Sequence, residues 1–148
     1  MDDRSRSRDR QAWQAQRREA LAVQDAALQR AKAAESSRAA EMLREFVTAM
    51  YDAGARPHPL RARARGRSRY RTGITGWYLR ANRSLGVGTD GAFYVLDVPT
   101  SLTSAVLGVR VEPSPPSLQV GKGARDGESI SLERLLAIRL EQETPHRA

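Results

Sequence analysis

Between Met1 and Gly54 the chain contains neither glycine nor proline, and no other feature narrows its folding as much. From Gln11 to about Ala53 the residues are chiefly Ala, Gln, Glu, Arg, Leu and Met, all good helix formers, so the run predicts one long helix. Gly54 suits a C-terminal cap, and Pro57 stops any continuation. Residues 1–10 are almost wholly polar and are expected to be disordered.

The two halves of this helix differ. Ala39, Leu43, Phe46, Val47 and Met50 recur at three- and four-residue spacing, which gives an apolar face that must pack on a body. From Gln11 to Glu35 the apolar positions are mostly alanine, with Leu21 and Leu28 seven apart and Trp13 alone near the start. That half buries little, which makes Trp13, Leu21 and Leu28 the candidate contacts for a protein partner or a second copy of the chain. Unbroken, the helix would be about 64 Å long at 1.5 Å per residue, against a radius of gyration of roughly 13 Å for a hundred-residue body, so its first half would project. A cap at Ser36 or Ser37 would instead start a second helix; the unbroken form is preferred.

Beyond the helix the pattern turns strand-like. Thr75–Arg80, Ser84–Thr89 and Ala92–Val98 are rich in aromatic and β-branched residues, and Asp90-Gly91 signals a tight hairpin. A three-stranded antiparallel meander is expected. A two-residue turn there pairs Thr89 with Ala92, Val87 with Tyr94 and Leu85 with Leu96. Phe93 and Val95 then lie near Gly86 and Gly88 on the other face, where Trp77 could cover the bare backbone, and both faces are buried. Val109–Glu112 and Leu118–Val120 are candidate short strands on either side of the Pro113, Pro115, Pro116 loop. A last helix runs from Leu132 to about Glu141, with Ser131 as N-cap, Ile130 and Leu135 as a hydrophobic staple, and Leu132, Leu136 and Leu140 as its stripe.

Composition adds one further constraint. The net charge is +8, yet Asp52 and Asp90 bracket a stretch with no acid and with Arg56, Arg61, Arg63, Arg65, Arg67, Arg69, Arg71, Arg80 and Arg83. Within it, Arg61, Arg63, Arg65, Arg67, Arg69 and Arg71 alternate with small residues and Tyr70. A helix would scatter these charges. In an extended chain they line one side at about 6.6 Å intervals, a spacing suited to a regularly charged polyanion, to which arginine adds bidentate phosphate contacts. Tyr70, Trp77 and Tyr78 lie close enough in sequence to offer stacking surfaces, although Trp77 and Tyr78 fit a packing role better. A solvated, charged edge strand is the competing reading of the same run.

Chemistry of other kinds finds little support. With no cysteine there are no disulfides, thiol nucleophiles or cysteine-bound zinc, and His58 and His146 are the only imidazoles. No metal or cofactor is expected. Gly86, Gly88 and Gly91 match a dinucleotide-loop spacing, but a strand follows them where a helix should. Gly121, Gly123 and Gly127, with Lys122 and Arg125, precede the last helix without a Walker pattern and read as an ordinary loop. Asp97, the one acid inside an expected meander strand, fits a strand-end hydrogen-bonding role better than a general base. No apolar run reaches the roughly 20 residues that span a bilayer, and Met1–Arg10 lacks the apolar core of a signal peptide, so a cytoplasmic protein away from membranes is expected.

These features describe one α+β unit: a long N-terminal helix over 11–53, a basic linker over 54–72, a small α+β domain over 73–142 with an antiparallel meander and a C-terminal helix, and a disordered tail over 143–148. The function expected is that of a noncatalytic accessory protein whose Arg-rich segment binds a polyanion, RNA or a ribonucleoprotein foremost. A protein–protein adaptor or self-associating module using the N-terminal helix is the alternative, and an enzyme without a legible motif is third.

Overall fold

The computed structural model describes residues 2–63, 69–98, 110–121 and 129–143. They form helix α1 (Asp2–Asp52), strands β1 (His58–Arg63), β2 (Arg69–Tyr78), β3 (Leu85–Gly88) and β4 (Phe93–Val95), the short strands β5 (Gln119–Val120) and β6 (Ile130–Ser131), and helix α2 (Leu132–Glu143). The layout is α+β, as expected. The chain divides into two units, Met1–Ala34 and Glu35–Ala148.

In the first unit, residues 2–34 are helical and every one of them is exposed. Residues 2–10 therefore depart from the disorder expected of them. Asp2 and Asp3 fill the first turn, where carboxylates complement the positive end of the helix dipole. Trp13 is not bare, because the Arg17 guanidinium lies 5.3 Å from its ring centre, one helical turn away. The helix passes Ser36 and Ser37 without a second cap.

In the second unit, α1 buries the five residues its spacing singled out, Ala39, Leu43, Phe46, Val47 and Met50. It ends where glycine allows a left-handed turn. Gly54 has φ 79°, its N–H donates to Tyr51 O at 3.0 Å and the Ala55 N–H to Met50 O at 3.0 Å, the two bonds of a Schellman cap. The buried face packs with Trp77, Leu85, Val87 and Phe93 of the sheet and with Leu132, Leu135 and Leu136 of α2. Ser131 caps α2, its Oγ accepting the Arg134 N–H at 3.2 Å, and Glu35 accepts the Leu118 N–H at 3.0 Å.

The sheet has four antiparallel strands in the order β1-β2-β3-β4, one more than the meander expected. Residues 58–63 and 69–72, read from sequence as linker, supply the addition: Arg61 opposes Arg71 and Arg63 opposes Arg69, while His58 opposes Gly76 of the expected meander strand. A bulge around Gly73 and Ile74 breaks the ladder, and the Thr72 hydroxyl bridges it, donating to Leu60 O at 2.7 Å and accepting the Ile74 N–H at 3.1 Å.

The β3–β4 register differs from the expected one by a single residue. Leu85 opposes Val95, Gly86 opposes Tyr94 and Val87 opposes Phe93. The cause is Gly91, whose φ of 85° follows a turn closed by its own N–H on Gly88 O at 2.9 Å. That is a three-residue loop with a left-handed third residue, which inserts one position more than a two-residue turn. The faces follow from this register. Trp77, Val87 and Phe93 form a row against α1, whereas Tyr94 joins Leu60 and Leu96 in a second cluster on the other face. Gly86 is covered by Leu60 and Leu96 rather than by Trp77, since a Cβ there would meet their methyl carbons at 2.9 and 3.0 Å. Both faces are buried, as expected.

Past β4 the chain returns to β1. The Arg63 N–H donates to Leu96 O at 2.6 Å and the Val98 N–H to Arg63 O at 2.9 Å, a parallel bridge between Arg63 and Asp97. The two edge strands thus meet, and the sheet closes on itself around the Leu60, Tyr94 and Leu96 cluster. Of the short strands expected later, Gln119–Val120 forms and pairs with Ile130–Ser131. Residues 110–112 are not a strand; they lead into the proline loop, which lacks ladder donors.

Candidate nucleic-acid interface

Directly opposed residues of an antiparallel pair share a face. The pairs Arg61–Arg71 and Arg63–Arg69 therefore put four arginines on one face of the β1–β2 hairpin. The residues between them, Ala62 and Tyr70, point the other way and are buried and half-buried. The alternation seen in sequence is real, but the chain doubles back between residues 63 and 69, so the charges form two antiparallel rows instead of one comb. Within a pair the Cβ atoms stand about 5 Å apart, and along a strand about 7 Å. Arg65 and Arg67 lie outside the described residues. Tyr70 stands on the opposite face from Arg69 and Arg71, away from the charge it was expected to accompany.

The four arginines are not equivalent. Arg63 is engaged, with Nε and Nη2 donating to the two carboxylate oxygens of Asp97 at 3.0 and 3.4 Å and Nη1 to Asn82 O at 3.2 Å. Asp97 is thus a partner of a side chain rather than of backbone amides. Among the described residues, Arg61, Arg69 and Arg71 have no carboxylate within ion-pair distance.

Beside Arg61 lies a cluster centred on Tyr78, one of the three aromatic residues the sequence offered as stacking surfaces. The Arg61 backbone N–H donates to the Tyr78 hydroxyl at 2.9 Å, and Tyr78 O accepts from Arg139 Nε at 2.8 Å. The Tyr78 ring has the Arg83 guanidinium 5.5 Å from its centre and the His58 ring centre at 5.4 Å, tilted 47°. Only the spacing of Tyr78 among the arginines hinted at this cluster, since residues 58, 61, 78 and 83 meet through strand pairing. Trp77 plays no part in it. It is 1% exposed in the core, with the Tyr51 ring edge-on at 5.1 Å.

The remaining candidate features lie apart from this face. An open groove of about 650 Å3 between α1 and α2 holds Glu45 and Glu133 beside Arg38, so it lacks the hairpin's uniform charge. Trp13, Leu21 and Leu28 are exposed on the helix of the first unit. Gly86 and Gly88 are strand residues and Gly91 a hairpin residue, while residues 122–128 of the second glycine-rich stretch lie outside the described residues. Among the described residues no cluster of three or more His, Asp or Glu side chains could hold a metal ion, and no helix is long and apolar enough to cross a membrane.

No protein-family model, no curated protein and no solved structure matches the chain. The site stands on its own geometry.

Proposed function

We propose that this is a noncatalytic accessory protein that binds a polyanion, RNA or a ribonucleoprotein foremost, through the arginine face of the β1–β2 hairpin. The observation that carries the reading is the pairing of Arg61 with Arg71 and of Arg63 with Arg69 across the ladder. Like charges directly opposite one another destabilise a sheet, and among the described residues only Arg63 of the four has a carboxylate to offset this. An anion with regularly spaced charges relieves the repulsion and gains charge-assisted bonds from the three arginines that lack an ion pair.

Binding of labelled RNA by the full chain at several salt concentrations tests the reading. Each single-strand phosphate neutralised adds about −0.7 to the slope of log affinity against log salt. Replacing Arg61, Arg69 and Arg71 with glutamine should flatten that slope by about 2 while the protein stays folded. An unchanged slope and affinity in the folded triple variant refutes it.

The alternative is an adaptor docking through the N-terminal helix. It rests on Trp13, Leu21 and Leu28, which are 55%, 56% and 60% exposed. Nuclease-resistant association with a protein, lost on replacing both leucines with glutamine, would favour that reading.

A further inference from the structure

We propose that the polyanion is single-stranded, and that the Arg83 guanidinium and the His58 ring, both set by Tyr78, receive an unpaired base. The inference rests on the polyanion reading above and extends it to the class of nucleic acid.

Three observations support it. First, Tyr78 is fixed at both ends. Its hydroxyl holds the Arg61 N–H and its carbonyl holds Arg139, and its ring packs against the Leu60, Tyr94 and Leu96 cluster. A ring held in this way is a rigid support for whatever lies on it. Second, Arg83 has φ 60° and is the single non-glycine residue with positive φ among the described residues, in a region that L-residues seldom enter. The turn enforces this conformation. The Arg83 N–H donates to Arg80 O at 3.0 Å, and the Asn82 side-chain oxygen accepts from Ser84 N and Ser84 Oγ at 3.0 and 2.6 Å. An exposed arginine would ordinarily sample many directions; this one leaves a locked turn toward the Tyr78 ring. Third, His58 is exposed and, like Arg83, packs against the Tyr78 ring, so one tyrosine supports both an exposed planar ring and an exposed planar cation.

Bases in a duplex already cover one another's faces, whereas an unpaired base can stack on a histidine ring or a guanidinium plane. Arg61 joins the two parts of the surface. Its side chain belongs to the arginine face, and its backbone is bonded to the residue that holds the stacking pair. On this proposal a strand held by its phosphates on the arginine face passes over the edge at Arg61 and lays a base on Arg83 or His58.

Fluorescence anisotropy with the full chain separates base from phosphate. The probes are an oligouridine, an abasic strand of the same length and charge, and a duplex of that length, each measured at several salt concentrations. The oligouridine should bind about tenfold more tightly than the abasic strand, with a similar salt slope, and more tightly than the duplex. Arg83→Lys keeps the charge and removes the planar cation, and His58→Ala removes the ring. Either change should reduce the preference for bases severalfold, and His58→Phe should retain it. Equal affinity for the oligouridine and the abasic strand, or tighter binding of the duplex, overturns the base site while leaving the arginine face as a phosphate binder. Absence of salt-dependent binding to all three probes removes both proposals.

Discussion

Arg63 and Asp97 are joined twice, by a parallel backbone bridge and by a two-pronged ion pair with its shorter arm at 3.0 Å. The side chains seal the point where the sheet closes. They are 41% and 51% exposed, and exposed pairs of this kind contribute about 0.2–1 kcal/mol, diminishing as salt is added. A double-mutant cycle with Arg63→Gln and Asp97→Asn, read by urea melts, should give a coupling energy in that range that shrinks at 1 M salt. A coupling near zero at low salt would show that the backbone bridge holds the closure alone.

Substitution at Gly91 should be costly for two separable reasons. Its φ of 85° is unsuited to a β-branched residue, and a Cβ there would come within 2.9 Å of Arg44 Cγ. Gly91→Val is expected to lose about 1–3 kcal/mol. Gly54→Ala has the same left-handed strain but nothing within 4 Å of the new carbon, so Gly91→Ala should cost more than Gly54→Ala in parallel denaturant melts. The reverse order would mean that Arg44 yields freely.

Along α1, amide exchange should divide the helix. Residues 2–34 are exposed throughout, whereas Ala39 to Met50 carry the buried face. Opening the exposed part uncovers no core, so its amides should exchange much faster than those around Leu43 and Val47 in dilute protein. Equal protection along the helix would reveal a partner for the first part, a second copy included.

Tyr94 makes stability sensitive to alkali. Burial raises its phenol above the ordinary value, and the nearby Asp90 and Glu112 carboxylates add to the rise. Above about pH 10 the unfolded chain releases this proton while the folded chain retains it, so the contribution is complete below that pH and is lost as pH climbs through the folded value. Tyr94→Phe should flatten the fall in stability above pH 10, measured by urea melts. An identical alkaline limb in the variant would assign the fall to other groups.

How far the sequence could be read depended on whether a feature was local. The core face of α1 was legible down to its five buried residues because a helix imposes its period on its own side chains. Ser131 was legible for the same reason, since a cap acts within one turn. The β3–β4 register was not, because Asp-Gly serves both two- and three-residue loops and the choice lies in how Gly91 closes on Gly88. The arginine strands showed their period of two, but with Tyr70 and Thr72 alone among Arg, Ala, Gly and Ser they are too poor in aromatic and β-branched residues to mark a paired strand, so nothing local revealed that the segment pairs with itself. His58 and Arg83 were invisible as a pair, being brought to Tyr78 by strand pairing and a turn that follow from the whole sheet.

Closure of the sheet also has a kinetic meaning. Arg63 and Asp97 are 34 residues apart, and their bridge links the two ends of the strand order β1-β2-β3-β4, so closing it costs more chain entropy than pairing neighbouring strands. The bridge is thus expected to form late in folding and to open early in unfolding. Weakening it by Asp97→Asn should leave the refolding rate almost unchanged and speed unfolding, so that this pair governs how long the native sheet stays closed more than how quickly it forms.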